Sequence, residues 1–129
     1  LINNHADFVR SILEGVSFSL KNCLDIIEDM KVEITDVRVS GGGAESEVWR
    51  QILADIFNYK LSTIKASDGP ALGVAILAGV GVGIYESVED ACEKIIKGQD
   101  VVNPNCDNID LYDKIYKVYN SLYPRLKDI

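Results

Sequence analysis

The sequence predicts an α/β protein in which a few strands are flanked by several helices. Long segments carry apolar residues at helical spacing, and two short segments are rich in residues with high β propensity. With 129 residues, of which 47% are hydrophobic, the chain is long enough to bury one core. We therefore expect a single globular unit.

The first half of the chain predicts two helices and two strands. A long amphipathic helix is expected over residues 6–29, followed by an alternating, β-prone segment at residues 31–40 that ends at glycines. The next helix spans residues 46–57, where Ser46 is a suitable N-cap because its hydroxyl accepts a hydrogen bond from a free backbone N–H. Residues 61–64 form the second predicted strand.

The second half predicts three further helices. Residues 69–85 carry no charge, but they are short and rich in glycine for a membrane span, which needs about 20 apolar residues. They predict a buried central helix that starts near Ser67 and Asp68. A helix over residues 87–97 has Ser87 as its N-cap and is followed by an extended connector at residues 101–105. The last helix, over residues 107–126, carries tyrosines that predict a packing face: Tyr112, Tyr116, Tyr119 and Tyr123.

Charge and cysteine content exclude several classes of function. Thirteen basic residues against twenty acidic ones give a net charge of −7, and no basic cluster is present, so nucleic acid is not an expected partner. The three cysteines are far apart and have no histidine beside them, so the sequence predicts neither a disulfide framework nor a metal site. This usage fits a cytoplasmic protein. The only histidine, His5, is assigned to the surface.

The number of predicted strands is small for a complete domain. Two strands with four or five helices make an unusual independent α/β unit, and the chain begins with Leu1 rather than methionine. We therefore expect a piece of a longer protein. The sequence also allows a homodimer without requiring one.

Three consecutive glycines, Gly41 to Gly43, join the first predicted strand to the helix that follows. This order places bare backbone N–H groups beside the positive end of a helix dipole, which suits the ribose, phosphate or base edge of a nucleotide. A flexible connection made of small residues is the alternative. A dinucleotide fingerprint is nearly matched, but Ser46 replaces its third glycine, and a P-loop is excluded because its lysine and hydroxyl are absent.

Three blocks of sequence, in this order, resemble one family. They are HADFVRSILEGVSFSL, GGGAESEVWRQILADIF after a valine-rich strand, and DGPALGVAILAGVGVGIY; the tyrosine-rich tail is a weaker match. Together they resemble the C-terminal region of the FGGY carbohydrate kinases, and within that family the xylulokinase branch. The resemblance implies an actin-like, ribonuclease H-like ATPase fold, with residues 1–129 as the C-terminal portion of its second domain.

The resemblance also implies a role for the glycine loop. In the family this loop is the adenosine motif, so Gly41, Gly42, Gly43 and Ala44 are expected to line the nucleotide with their backbone, where side chains must be absent. The helix start at Ser46 and Glu47 is then expected to face adenine or ribose.

Two acidic residues depart from the family pattern. Members of the xylulokinase branch commonly carry lysine or arginine, then proline, where Glu45 and Glu47 stand here. Because two carboxylates repel a polyanion, we expect contact with the uncharged adenosine end rather than with phosphates.

Our first hypothesis is the nucleotide-binding part of an ATP-dependent sugar kinase that acts on D-xylulose when intact. ATP and Mg²⁺ are the implied cofactors, held mainly by a part of the enzyme that is absent here, as is the catalytic base. No catalytic residue is therefore assigned, Asp55 and Asp68 are given structural roles, and the isolated piece is expected to be inactive. The alternatives are another acceptor of the same family (gluconate, ribulose or glycerol) or a non-catalytic interaction domain.

Overall fold

A computed structural model describes residues 3–64, 69–96 and 98–129 of the chain. It contains five helices and three strands in these residues, and one 3₁₀ turn. In chain order the elements are α1 (His5–Asp29), β1 (Val37–Val39), the 3₁₀ turn (Gly42–Glu45), α2 (Glu47–Phe57), β2 (Leu61–Ile64), α3 (Gly69–Gly81), α4 (Val88–Ile95), β3 (Gly98–Val102) and α5 (Cys106–Leu126).

The three strands form one mixed sheet with β2 in the middle. β1 runs parallel to β2, with Val37 opposite Leu61, and β3 runs antiparallel to β2, with Val102 opposite Leu61. Since parallel neighbours need a crossover, β1, α2 and β2 make a βαβ unit, as the sequence predicted. The loop that precedes α2 therefore lies at the carboxyl end of β1, the edge where open α/β sheets bind ligands.

Helix α2 lies at the centre of the core. Six consecutive residues, from Ile52 to Phe57, are buried, and α2 contacts α1, α5, β2 and β3. Ser46 caps it as predicted, since its hydroxyl accepts from the backbone N–H of Trp49 at 3.3 Å. Asn58 ends it in the left-handed conformation that a C-terminal cap requires (φ 55°). Local capping signals therefore set both ends of a helix whose burial depends on its neighbours.

The tyrosine face of α5 packs on α1 through one phenylalanine. Phe18 lies 5.4–6.1 Å, between ring centroids, from Tyr112, Tyr116 and Tyr119, which confirms the predicted face for these three residues. Tyr123 is instead 77% exposed. Burial raises the pKa of Tyr112, so its hydroxyl stays protonated and donates to Glu14 at 2.9 Å.

Asp55 is buried and joins α2 to the start of α5. Its carboxylate accepts hydrogen bonds from the Gln51 side chain at 2.7 Å and from the Asn105 backbone N–H and the Asn108 side chain, both at 2.8 Å. Asn105 is the N-cap of α5, so these bonds fix where that helix begins. The structural role predicted for Asp55 is confirmed, whereas Asp68 lies outside the described residues.

Two strand predictions need correction. The predicted strand at 31–40 is a strand only at Val37–Val39, because the residues before it find no pairing partner among the described strands. A third strand, Gly98–Val102, was missed: the sequence predicted a helix up to residue 97 and an extended connector at residues 101–105. Gly98 and Gln99 have little β propensity of their own, and antiparallel pairing with β2 makes this segment a strand.

The prediction of a buried central helix at residues 69–85 is wrong for this chain. Helix α3 forms, but Val74 and Leu77 are 69% and 62% exposed, and Ile76 is buried. The reason is that α3 packs mainly against α4, so most of its apolar surface has no neighbour within the described residues. Within that same part of the chain, no helix combines the length and the apolar character that crossing a membrane requires.

We expect Asp55→Ala to lower the free energy of unfolding by about 3 kcal/mol, because three donors lose their acceptor at a buried position. Urea unfolding followed by circular dichroism measures this. The exposed Asp113 of α5 provides the control, and Asp113→Ala should stay within about 0.5 kcal/mol of the parent chain. Equal unfolding midpoints for the two variants would contradict a linking role for Asp55.

Candidate functional site

The glycine loop is an ordered turn at the carboxyl end of β1. The backbone N–H of Ala44 donates to the Gly41 carbonyl at 2.9 Å, and that of Ser46 donates to the Gly43 carbonyl at 3.2 Å. These bonds define the 3₁₀ turn Gly42–Glu45, which leads through Ser46 directly into α2. A flexible connection, one of the alternatives open from sequence, is therefore not what the structure shows.

The three glycines of the loop differ in their surroundings. Gly41 has a φ of 86° and a ψ of 175°, a backbone conformation that is nearly exclusive to glycine. A Cβ on Gly43 would lie 2.1 Å from the Trp49 ring. A Cβ on Gly42 would meet nothing within 4 Å. Backbone conformation and packing thus explain Gly41 and Gly43, and the open surface of the turn lies at Gly42.

Several backbone N–H groups of the loop and of the first turn of α2 have no acceptor in the described part of the chain. Gly42 and Gly43 begin the 3₁₀ turn, and their N–H groups meet no acceptor in the described part of the chain. The N–H groups of Glu47 and Val48, in the first turn of α2, lack intrahelical acceptors for the same geometric reason. The α2 dipole adds positive potential at this end. Backbone N–H groups of the loop alone can therefore donate hydrogen bonds to oxygen or nitrogen acceptors of a ligand.

Trp49 supports the loop from the α1 side. Its ring lies against Gly43, and its indole N–H donates to the Ser17 hydroxyl at 3.1 Å. Ser17 is fully buried in α1 and donates in turn to the Leu13 carbonyl at 2.8 Å. Trp49 is therefore a packing residue of the loop. Ser17 was missed from the sequence, where the signal was a hydroxyl residue on the apolar face of a helix.

Arg50 supports the loop from the sheet side. Its Nη1 donates to the Ala44 carbonyl at 2.7 Å, and its Nη2 lies 3.8 Å from the Asp100 carboxylate of β3. Only 11% of the side chain is exposed. The sequence assigned no role to Arg50, because Asp100 comes close to it only through the pairing of β3 with β2.

The side chains around the loop give it a negative charge. Glu45 and Glu47 are exposed, and neither forms an ion pair among the residues that the structure describes. Both carboxylates are favourable at the N-terminus of α2, since they complement its dipole. The described residues also contain no group of three acidic, histidine or cysteine residues that could hold a metal ion.

A shallow cleft with a mainly apolar lining lies near the start of α2. It runs between the first turns of α1 and Val48 in the first turn of α2, and it is lined also by His5, Val9 and Leu13. His5 is exposed at the first position of α1, as expected for a surface residue. Residues 41–46 of the loop do not line this cleft, and Val48 is the residue that α2 contributes to it.

We expect Gly43→Ala to destabilise the chain by about 2 kcal/mol, because the new methyl group forces the Trp49 ring away from Ser17. Gly42→Ala, where the added methyl meets nothing, should cost less than about 0.5 kcal/mol. Trp49 is the only tryptophan, so its fluorescence during urea unfolding reports on this contact directly. Similar losses at both positions would show that Trp49 does not constrain the loop.

Comparison with characterised proteins gives a consistent picture. The model described as "FGGY family of carbohydrate kinases, C-terminal domain" matches residues 2–82. Xylulose kinases of Staphylococcus epidermidis and Bacillus subtilis are 39% and 33% identical over 96% and 98% of this chain. An autoinducer-2 kinase of Yersinia enterocolitica is 32% identical over 93% of it, covering 23% of that protein. The chain spans 25% and 26% of the length of the two xylulose kinases.

Solved structures extend the likeness to the fold. The crystal structure of xylulose kinase from Rhodospirillum rubrum superposes with a TM-score of 0.87 at 23% identity, over 99% of this chain and 26% of that one. That of Plasmodium falciparum glycerol kinase with ADP gives 0.75 at 29% identity, over 91% and 23%. These kinases have an actin-like ATPase fold, which confirms the predicted fold class. The chain belongs to the FGGY family of carbohydrate kinases.

Proposed function

We propose that this chain is the nucleotide-binding part of an ATP-dependent sugar kinase whose acceptor is D-xylulose. The observation that carries the proposal is the glycine loop, where an open turn with free backbone N–H groups meets the N-terminus of α2. One of the solved relatives, the glycerol kinase, was crystallised with ADP. Residues 1–129 would then be the C-terminal portion of the second domain of a longer enzyme.

The loop fits the adenosine end of a nucleotide better than its phosphates. Gly41, Gly42, Gly43 and Ala44 would contact adenosine through their backbone, with Gly42 at the open surface. Ser46 and Glu47 would face adenine or ribose from the start of α2. Glu45 and Glu47 would repel a polyphosphate that approached them closely, whereas adenosine is uncharged.

The chemistry of transfer would occur outside this chain. Phosphoryl transfer forms a bond from a sugar hydroxyl oxygen to the γ-phosphorus while the bond to the ADP oxygen breaks, with Mg²⁺ offsetting the developing charge. Kinases of this family use ATP and typically Mg²⁺. Because the catalytic base is expected outside residues 1–129, this piece alone should be inactive. Its contribution would be to hold and orient the nucleotide.

D-Xylulose is the preferred acceptor in this proposal because the two relatives at 33–39% identity are xylulose kinases. A second candidate is another acceptor of the family, since an autoinducer-2 kinase and a glycerol kinase also match this chain. Sugar-binding residues are expected outside residues 1–129, so the loop itself does not select the sugar.

Titrating the isotope-labelled chain with adenosine, ADP and ATP should shift the amide resonances of residues 41–47, because these groups would contact the nucleoside. The shifts should occur with adenosine alone, since the proposed contacts do not need phosphate. Resonances of α5, which contributes none of the residues that contact the loop in the contacts described above, serve as the internal reference. A loop whose resonances do not move at millimolar adenosine and ADP would overturn nucleotide binding by this chain and favour an interaction domain.

The double variant Glu45→Gln/Glu47→Gln tests charge repulsion at the loop in the same titration. Removing two negative charges should strengthen ATP binding about twofold to fivefold at low salt, leave adenosine binding unchanged, and lose its effect near 1 M salt. An equal gain for adenosine and ATP would show that the two glutamates do not act through charge repulsion.

The identity of the acceptor is tested with a longer polypeptide, in which the residues encoded upstream of Leu1 precede this chain. The kcat/KM, measured from ADP formation, should be at least about tenfold higher with D-xylulose than with gluconate, ribulose or glycerol. The reason is that a site whose polar groups match the hydroxyls of one sugar leaves some of those groups unpaired when another acceptor binds. The reaction without sugar measures background ATP hydrolysis. A higher value for any other acceptor would replace D-xylulose in the proposal.

A further inference from the structure

The glycine loop is held at two adjacent points of α2. Trp49 packs on Gly43, and Arg50 bonds the carbonyl of the next residue, Ala44, at 2.7 Å. A glycine-rich segment loses much conformational entropy on ordering, and a 3₁₀ turn has weak internal hydrogen bonds, so such a loop needs external support to keep one conformation. Both supports lie in the first turn of α2, whose next two turns are buried in the core.

The geometry points to Arg50 as a positioning residue for the nucleotide. We propose that its guanidinium, bonded to Ala44 and paired with Asp100 of β3, fixes the loop in the conformation that binds adenosine. We call this three-residue arrangement of Arg50, Ala44 and Asp100 the loop clamp. The inference rests on the proposed function, because it concerns the same loop and the same ligand.

The chemistry of Arg50 suits a clamp. A guanidinium presents its donors in a planar fork, so one side chain can hold a loop carbonyl with Nη1 while Nη2 faces a strand carboxylate. Arg50 is largely buried, and its Nε meets no acceptor within the described residues. A buried donor without a partner is unfavourable, so packing stability alone does not account for an arginine here.

The position of the bonded carbonyl connects the clamp to the ligand surface. Ala44 lies near the end of the 3₁₀ turn, and its own N–H closes that turn on Gly41. Releasing the Ala44 carbonyl would free the turn that presents the Gly42 and Gly43 N–H groups. Arg50 therefore acts on the nucleotide through the loop backbone, without touching the ligand itself.

The test compares Arg50→Gln with Arg38→Gln in the full 129-residue chain. Arg38 lies on β1, three residues before the loop, and is exposed and paired with Asp36, so its replacement removes the same charge without touching Ala44. Hydrogen exchange of the Ala44 and Ser46 amides, measured without nucleotide, should accelerate at least about tenfold in Arg50→Gln and stay unchanged in Arg38→Gln. ADP affinity should fall about 10- to 100-fold in the first variant alone.

Two further variants keep the test decisive if Arg50→Gln fails to fold. Arg50→Lys retains the charge and most of the aliphatic stem, but its single ammonium group cannot form the fork. Its loop exchange rate and its ADP affinity should therefore be intermediate between those of the parent chain and those of Arg50→Gln. Asp100→Asn leaves the buried side chain untouched and removes only the weaker contact, so its effect should be smaller than that of Arg50→Lys.

The outcomes separate the clamp from the proposed function. Unchanged loop exchange in Arg50→Gln and Arg50→Lys would overturn the clamp, as would faster exchange with unchanged ADP affinity. Accelerated exchange that extends evenly over α2 and the sheet would show a general structural role and would also overturn it. If the parent chain binds no ADP, the proposed function fails for this chain, while exchange without nucleotide still decides whether Arg50 fixes the loop.

Discussion

Helix α2 is buried on all sides over residues 52–57, and this burial determines where every other part of the core can lie. A helix without an exposed face needs partners around its whole circumference, and here α1, α5 and the sheet provide them. Its one charged residue in this stretch, Asp55, is tolerated because three donors satisfy it, and the same bonds place the start of α5. The first turn of α2 therefore leads directly into a segment of six consecutive buried residues.

This connection to a buried helix explains how a loop with three glycines can present a defined surface. Trp49 and Arg50 extend from α2 to opposite sides of the loop, one by ring packing and one by a charged hydrogen bond. Gly43 is needed so that the ring can approach, and Gly41 is needed because its backbone conformation excludes other residues. The glycine loop is thus both held in one conformation and free of side chains, as a ligand surface formed by the backbone requires.

The electrostatics of the loop combine opposite influences. The N-terminus of α2 and the free N–H groups favour acceptors and negative charge, whereas Glu45 and Glu47 make the outer rim acidic. Arg50 does not neutralise that rim in the way an exposed cation would, because it is turned inward to Ala44 and Asp100. Together, these opposing charges favour a neutral, hydrogen-bonding ligand group over a phosphate, in agreement with the adenosine contact that we propose.

The helices, the βαβ order and the Ser46 cap could be predicted from the sequence, because periodicity, β propensity and capping are local properties of the chain. It also placed the glycine loop between β1 and α2, and its motifs sufficed to indicate the family. The tertiary structure decided what depends on partners distant in sequence. Pairing with β2 made Gly98–Val102 a strand, and packing across α1 and β3 gave Ser17 and Arg50 their roles beside the loop. Helix α3 is largely exposed because, among the described residues, it packs mainly against α4. Local patterns cannot place such contacts, because Ser17 and Trp49 are 32 positions apart in the sequence and Arg50 and Asp100 are 50 positions apart.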